Sequence, residues 1–146
     1  MADATQRLII GISGASGVIY GIRALQLLRD TDVETHLVMS KSAEMTMGYE
    51  VEMKPATVRK LADVAHAIGD VGASISSGSC KTNGMLVLPC SIRTMSEIST
   101  GATSSLLSRA ADVVLKERRR LVLAVRETPL HTGHLRTMTE LSEMGA

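Results

Sequence analysis

The chain has 146 residues, of which 45% are hydrophobic and 21% charged, and its formal net charge is +1. That length supports one core and a single domain over residues 1–146, and the near-neutral balance gives no electrostatic reason to expect nucleic acid or a membrane surface as partner. No apolar stretch approaches the roughly 20 residues of a membrane helix, and the segment from Met1 to Arg7 lacks the basic and apolar regions of a secretion signal, so a cytoplasmic location is expected.

Arg7 to Ile12 is an apolar run that predicts a buried strand. The segment Gly11-Ile12-Ser13-Gly14-Ala15-Ser16-Gly17 leads from it into Val18 to Arg29, where Ile22, Leu25 and Leu28 form one helical stripe. A strand feeding a glycine-rich turn and a helix N-terminus is an anion-binding device. Taken alone, the same turn is also compatible with a plain tight connection that binds nothing. It carries no GK[ST], which argues against nucleotide triphosphate hydrolysis, and it departs from Gly-x-Gly-x-x-Gly.

Val33 to Met39 predicts a second strand ending in Ser40-Lys41, and Ser42 to Tyr49 a short helix. Pro55 suits the first position of a helix over Ala56–Ala67. The Gly- and Ser-rich stretch from Gly69 to Gly84 predicts a loop around a short strand at Ala73–Ser76. Met85 to Leu88 is a compact apolar strand closed by Pro89. Helices are predicted over Ile92–Ser99 and Ser105–Leu115, separated near Gly101. Leu121 to Val125 is a further strand, followed by Pro129, a helix over His134–Met144 and Gly145 as its C-terminal cap.

Strands alternating with helices give parallel βαβ units and hence a three-layer, doubly wound α/β sheet of Rossmann-like or flavodoxin-like type. Ligands in that architecture sit beyond the carboxyl ends of the strands. The polar clusters Gly14–Gly17, Ser40-Lys41, Pro89–Thr94 and Arg126-Glu127 all fall there, which points to one site. Cys80 and Cys90 have neither CxxC spacing nor a histidine partner, and are expected to be reduced thiols rather than a disulfide or a metal site. With Tyr20 and Tyr49 as the only aromatics and nine Met, the core must be aliphatic and methionine-filled.

Arg109, Lys116, Arg118, Arg119, Arg120 and Arg126 form the densest basic stretch. Arg118, Arg119 and Arg120 are expected to be a solvated helix end favoured by the helix dipole. Arg126, directly after an apolar strand, is expected to face the ligand crevice. Glu127 beside it is open between an ion-pair partner and a proton-transfer group.

Several long blocks carry a resemblance to a known family. Ile10 to Gly17 with Tyr20-Gly21, Glu34 to Lys41, Ile75 to Ser79, Gly84 to Ser91, Arg109 to Arg119 and Val125-Arg-Glu-Thr-Pro129 together resemble the UbiX/Pad-type flavin prenyltransferases, in order and along essentially the whole chain. The resemblance implies a large homo-oligomer that binds reduced FMN. It also implies transfer of a dimethylallyl group from dimethylallyl phosphate to flavin N5 and C6 without a metal. The product, prenylated FMN, would serve UbiD-type decarboxylases in ubiquinone synthesis or aromatic-acid breakdown.

Carried over by position, Gly14, Ala15, Ser16, Ser40, Ser91, Ile92, Arg93, Thr94 and Arg126 would contact FMN. Ser16, Glu50 and Glu127 would bear on catalysis, with Glu127 passing a proton to or from the leaving phosphate. Arg109 and Lys116 would offset charge on that phosphate as the allylic bond breaks. Cys80 stands where the family commonly has Phe, Ser104-Ser105 where it has Asp or Asn, and Tyr-Glu-Val surrounds Glu50 in place of Leu-Glu-Thr. The family also continues past Gly145-Ala146 with a strand, a Phe-Tyr segment and a helix whose Tyr and Arg hold the substrate phosphate. A C-terminally truncated member is therefore expected. Two other classes stay open: a related flavoprotein decarboxylase of the phosphopantothenoylcysteine group, and an FMN-binding assembly protein without catalysis. The Arg-Glu-Thr-Pro and Leu-Lys-Glu-Arg-Arg blocks favour the prenyltransferase.

Overall fold

The structure is a computed structural model and describes residues 4–146. Strand β1 (Gln6–Ile12) leads to helix α1 (Val18–Leu28), β2 (Val33–Met39), α2 (Lys41–Glu50), the short α3 (Pro55–Arg59) and β3 (Val64–His66). A 3₁₀ turn at Ser74–Ser76 precedes β4 (Gly84–Cys90), α4 (Ile92–Thr100), α5 (Leu106–Lys116), β5 (Arg120–Val125) and α6 (Thr132–Met144). The five strands pair in parallel in the order β3-β2-β1-β4-β5. Chain direction around the sheet reverses beside β1, so the crevice between β1 and β4 is the topological switch point where such sheets bind ligands.

The alternation of β1 divides the interior into two layers. Ile9 faces a core built from Met85, Val87, Met95, Leu107, Val114 and Leu141, which belongs to β4, α4, α5 and α6. Ile10 and Ile12 face the opposite core of Val18, Ile22, Leu25, Leu37 and Met47, which belongs to α1, β2 and α2. Burial on both faces explains why these strands read as continuous apolar runs. Met47, Met85 and Met95 are fully buried and fill the volume that rings occupy elsewhere. Close packing of α1 onto the sheet depends on Gly21, where a Cβ would stand 2.3 Å from the Leu88 carbonyl oxygen.

Two expected elements are replaced. The helix over Ala56–Ala67 stops at Arg59, because Asp63 turns the chain onto the sheet edge: its carboxylate accepts from the Thr35 N–H (2.7 Å) and hydroxyl (3.0 Å). Asp63 N–H in turn donates to Thr35 Oγ1 at 3.0 Å, and Val64–His66 becomes the third strand. The strand expected at Ala73–Ser76 is instead the 3₁₀ turn, anchored by buried Ile75. Among the described residues no helix is long and apolar enough to cross a membrane.

Candidate functional site

Two helix N-termini converge beyond the carboxyl ends of the strands. At the exit of β2, Ser40 caps α2 by accepting from the Ala43 N–H at 3.0 Å. At the exit of β4, Ser91 caps α4 by accepting from the Thr94 N–H at 3.2 Å, and the two hydroxyls lie 3.1 Å apart. Both N-termini open on a cavity of about 630 Å³ whose wall includes Gly14, Ser40, Lys41, Ser91, Arg93 and Thr94. Helix N-terminal N–H groups and Lys41 suit this wall to an anion, while Arg93 is paired with Glu97 of the same wall at 3.0 Å. The turn after β1 closes the cavity against α2, and only glycine fits at position 14: a Cβ there would stand 2.3 Å from Ser42 Cβ.

A second cavity of about 500 Å³ lies on the other side of the same turn, where Ser16, Gly17 and Tyr20 face Pro89, Val125 and Arg126. The structure thus brings Ser16 and Arg126 together, with Arg126 held by its N–H donating to the Cys90 carbonyl at 3.0 Å. Glu127 is exposed one residue farther on and accepts from the Thr128 N–H at 3.0 Å. Ala15 is buried behind the turn and donates its N–H to the Ser13 carbonyl at 3.0 Å. Ile92 is half-buried and packs on the α4–α5 core.

Glu50 lies at the start of α1 in space. It ends α2, and its Oε2 accepts from the N–H groups of Gly17 (3.0 Å) and Val18 (3.4 Å). The N-terminus of α1, read from sequence as the anion-binding device, is therefore already met by a carboxylate of the chain itself. The N-termini of α2 and α4 carry no such carboxylate among their capping partners and open on the first cavity, which the capped start of α5 also adjoins.

Arg109 and Lys116 are not brought to either cavity of the same chain. Arg109 donates to the Ser76 carbonyl (3.2 Å) and to Asp112 (2.9 Å), while Lys116 pairs with Glu117 at 2.7 Å. Helix α5 touches the first cavity through Leu107 and the adjoining Ser105, and Lys116 lies about 15 Å along the axis at 1.5 Å per residue. The Lys116 ammonium holds the exposed Glu117 carboxyl below its usual range. Arg119 is not a solvated helix end: it donates to the carbonyls of Cys80 (2.8 Å) and Gly78 (2.7 Å), tying the Ser-rich loop to the connection between α5 and β5. Arg118 and Arg120 are exposed, as expected.

Both cysteines are free thiols. Burial pushes the Cys90 thiol up to about 12, so at neutral pH it carries no nucleophilic thiolate. The sequence reading passed over Ser13, which is fully buried between the end of β1 and Gly14. Its signal was its place between the apolar strand end and Gly14, where a hydroxyl must find a partner.

Comparison with known proteins bears on the family and the fold. The Flavoprotein family matches residues 2–145. The flavin prenyltransferase UbiX of Escherichia coli (strain K12) is 63% identical over 142 residues, spanning 97% of this chain and 75% of that protein. A crystal structure of AnUbiX (PadA1) in complex with FMN and dimethylallyl pyrophosphate superposes with a TM-score of 0.95 at 52% identity, over 97% of this chain and 75% of the other. A dodecameric FMN-dependent Ubix-like decarboxylase from Escherichia coli O157:H7 gives a TM-score of 0.95 at 50% identity, over 97% and 77% of the two chains.

Proposed function

The chain belongs to the UbiX flavin prenyltransferases of the Flavoprotein family, and from that premise we propose that it joins a dimethylallyl group, taken from dimethylallyl phosphate, to reduced FMN. One observation carries the reading: the capped N-termini of α2 and α4 meet at a single cavity, next to a second cavity shared by Ser16 and Arg126. The donor set fits a phosphorylated flavin. Ser40, Ser91 and Thr94 with the adjoining helix N–H groups would hold its phosphate, aided by Lys41 and Arg93. The Gly14-Ala15-Ser16 turn and Arg126 would hold the ring from the neighbouring cavity.

The chemistry that reduced FMN supplies when bound is an electron-rich ring whose N5 and C6 take up the prenyl unit. The chain's own contribution is placement, fixed charge and proton management. Arg126 would stabilise negative charge gathering beside Ser16, and Glu127, exposed at the mouth, would exchange a proton with the departing phosphate. Lys116 lies too far off in its own chain, and Arg109, though near the cavity along α5, is turned to Ser76 and Asp112, so both would act on a neighbouring copy's site. The dodecameric relative supports a homo-oligomer in which such sharing is possible. The prenylated FMN would pass to a UbiD-type decarboxylase, and two reduced thiols suit a cytoplasmic setting.

The test is anaerobic turnover of reduced FMN with dimethylallyl phosphate, followed by the mass and absorbance of the released flavin. A gain of one prenyl unit is expected. Bound but unmodified FMN would leave a flavin carrier without catalysis, and no bound flavin would overturn the reading.

A further inference from the structure

We infer that Ser13 is a positioning residue for the phosphate end of the flavin site, acting through Ser91; the inference rests on the function proposed above.

Pairing between β1 and β4 runs from Leu8↔Gly84 to Gly11↔Val87 and then stops. Past that point the register of β4 against β5 also slips, between Val87 and Cys90. The segment of β4 that delivers Ser91 to the cavity thus has no ladder pair on its β1 side, while Cys90 keeps its pair with Val125 on the other. Ser13 takes over there. Its N–H donates to the Pro89 carbonyl at 3.2 Å, and its hydroxyl donates to the same oxygen at 2.9 Å. The lone pair left on Oγ accepts the Ser91 N–H at 2.8 Å. The side chain is fully buried, so water cannot replace either bond.

The consequence reaches both walls of the cavity. Ser91 caps α4 and touches the Thr94 hydroxyl, so the orientation of the Ser91 main chain sets the aim of the α4 N-terminus. Ile12, immediately before Ser13, accepts the Ser40 N–H at 3.0 Å and thereby fixes the cap of α2. Gly14, immediately after it, lines the cavity itself. The exit of β1 therefore registers two helix N-termini against one point, and the Ser13 hydroxyl is the side-chain link from β1 to the end of β4 in that arrangement.

The experiment compares binding of FMN and of riboflavin, which lacks the phosphate, to the full chain and to Ser13→Ala. A buried N–H left without a partner should misplace the α4 terminus and weaken FMN binding about tenfold, with riboflavin affinity nearly unchanged. The ratio of the two affinities separates positioning from general loss of structure. Thr35→Val provides the structural comparison: it removes a buried hydroxyl far from the cavity and should lower the melting temperature with the ratio intact. Should Ser13→Ala fail to fold, Ser13→Cys keeps the size with a weaker donor and acceptor, and its ratio should fall in the same direction. A variant that folds and keeps the parental ratio overturns the inference. Parental chain that binds neither flavin overturns the functional reading beneath it.

Discussion

The carboxylate of Glu50 and the main-chain N–H of Gly17 are joined by a 3.0 Å hydrogen bond, across 33 residues of sequence, and this bond closes the N-terminus of α1. Gly17 is the N-cap residue and has no side chain to do this itself; its φ of 104° is the conformation glycine tolerates. Glu50 therefore acts on the turn that carries Ser16, whatever else it does. Glu50→Ala should destabilise the protein by about 1 kcal/mol through the lost cap, whereas Glu50→Gln keeps an acceptor and should cost about half as much. Thermal denaturation and prenyl transfer measured on both variants separate the roles. If turnover follows stability, Glu50 positions the turn; if Gln abolishes turnover at near-parental stability, Glu50 carries a proton.

Gly14→Ala should be more damaging than its size suggests. The added methyl would collide with Ser42 in the first turn of α2, forcing apart the turn and the helix that together bound the larger cavity. A cost of about 1–3 kcal/mol is expected from overpacking, with loss of FMN binding beyond what the stability change explains. Titration with FMN well below the melting temperature checks this.

Stability should fall on acidification, and the cause lies at the far side of the sheet. Arg7 Nε donates to Glu34 Oε1 at 2.8 Å, and His36 Nε2 donates to the same oxygen at 2.7 Å. His36 Nδ1 then faces His66 Nε2 at 2.9 Å, an arrangement that needs one proton between the two nitrogens and has no place for a second. The His36 bond, then Arg7, holds Glu34 below its usual 4.5, and the bonds from Thr35 hold Asp63 below 3.8. Burial, then the neighbouring His36, holds His66 below 6.5. In all three cases the unfolded chain binds protons more readily, so acid favours unfolding. His66 should contribute first, as pH falls through 6.5, and the two carboxylates below about 4.5. The melting temperature should be flat above pH 7 and decline in two stages; His66→Gln should remove the first stage.

Complementation between variants should reveal the shared site. Lys116→Ala and Arg126→Ala should each lower turnover by about 100-fold or more, as loss of a fixed charge at a developing anion does. Mixed oligomers of the two contain some sites with both cations intact and should regain measurable activity. Failure of every mixing ratio to restore turnover would place Lys116 outside the chemistry.

What the sequence revealed follows the range over which each feature is determined. Strands β1, β2, β4 and β5 are legible because burial on both faces writes itself as a local apolar run such as Leu8-Ile9-Ile10. Strand β3 is not: Val64–His66 is too short to show a period, and it exists because Asp63 binds Thr35, 28 residues away. The same distance effect hid the bonds of Arg119 to the Ser-rich loop and of Glu50 to α1. The strand ends that face the crevice were legible, since the rule placing them depends only on topology. Which of two adjacent cavities each residue lines was not, because Ser16 and Gly14 differ by two positions yet face opposite sides of one turn.

The methionine-filled interior has an optical corollary. The chain has no Trp or Phe, and its two rings, Tyr20 and Tyr49, stand 65% and 90% exposed outside the core. The apoprotein is therefore nearly dark in the near ultraviolet, and indole emission cannot overlap or feed a bound isoalloxazine. Flavin absorbance and fluorescence can be followed through binding and turnover with almost no protein background. Tyr20, at the wall of the smaller cavity, is left as the single intrinsic reporter whose weak emission should respond when that cavity fills.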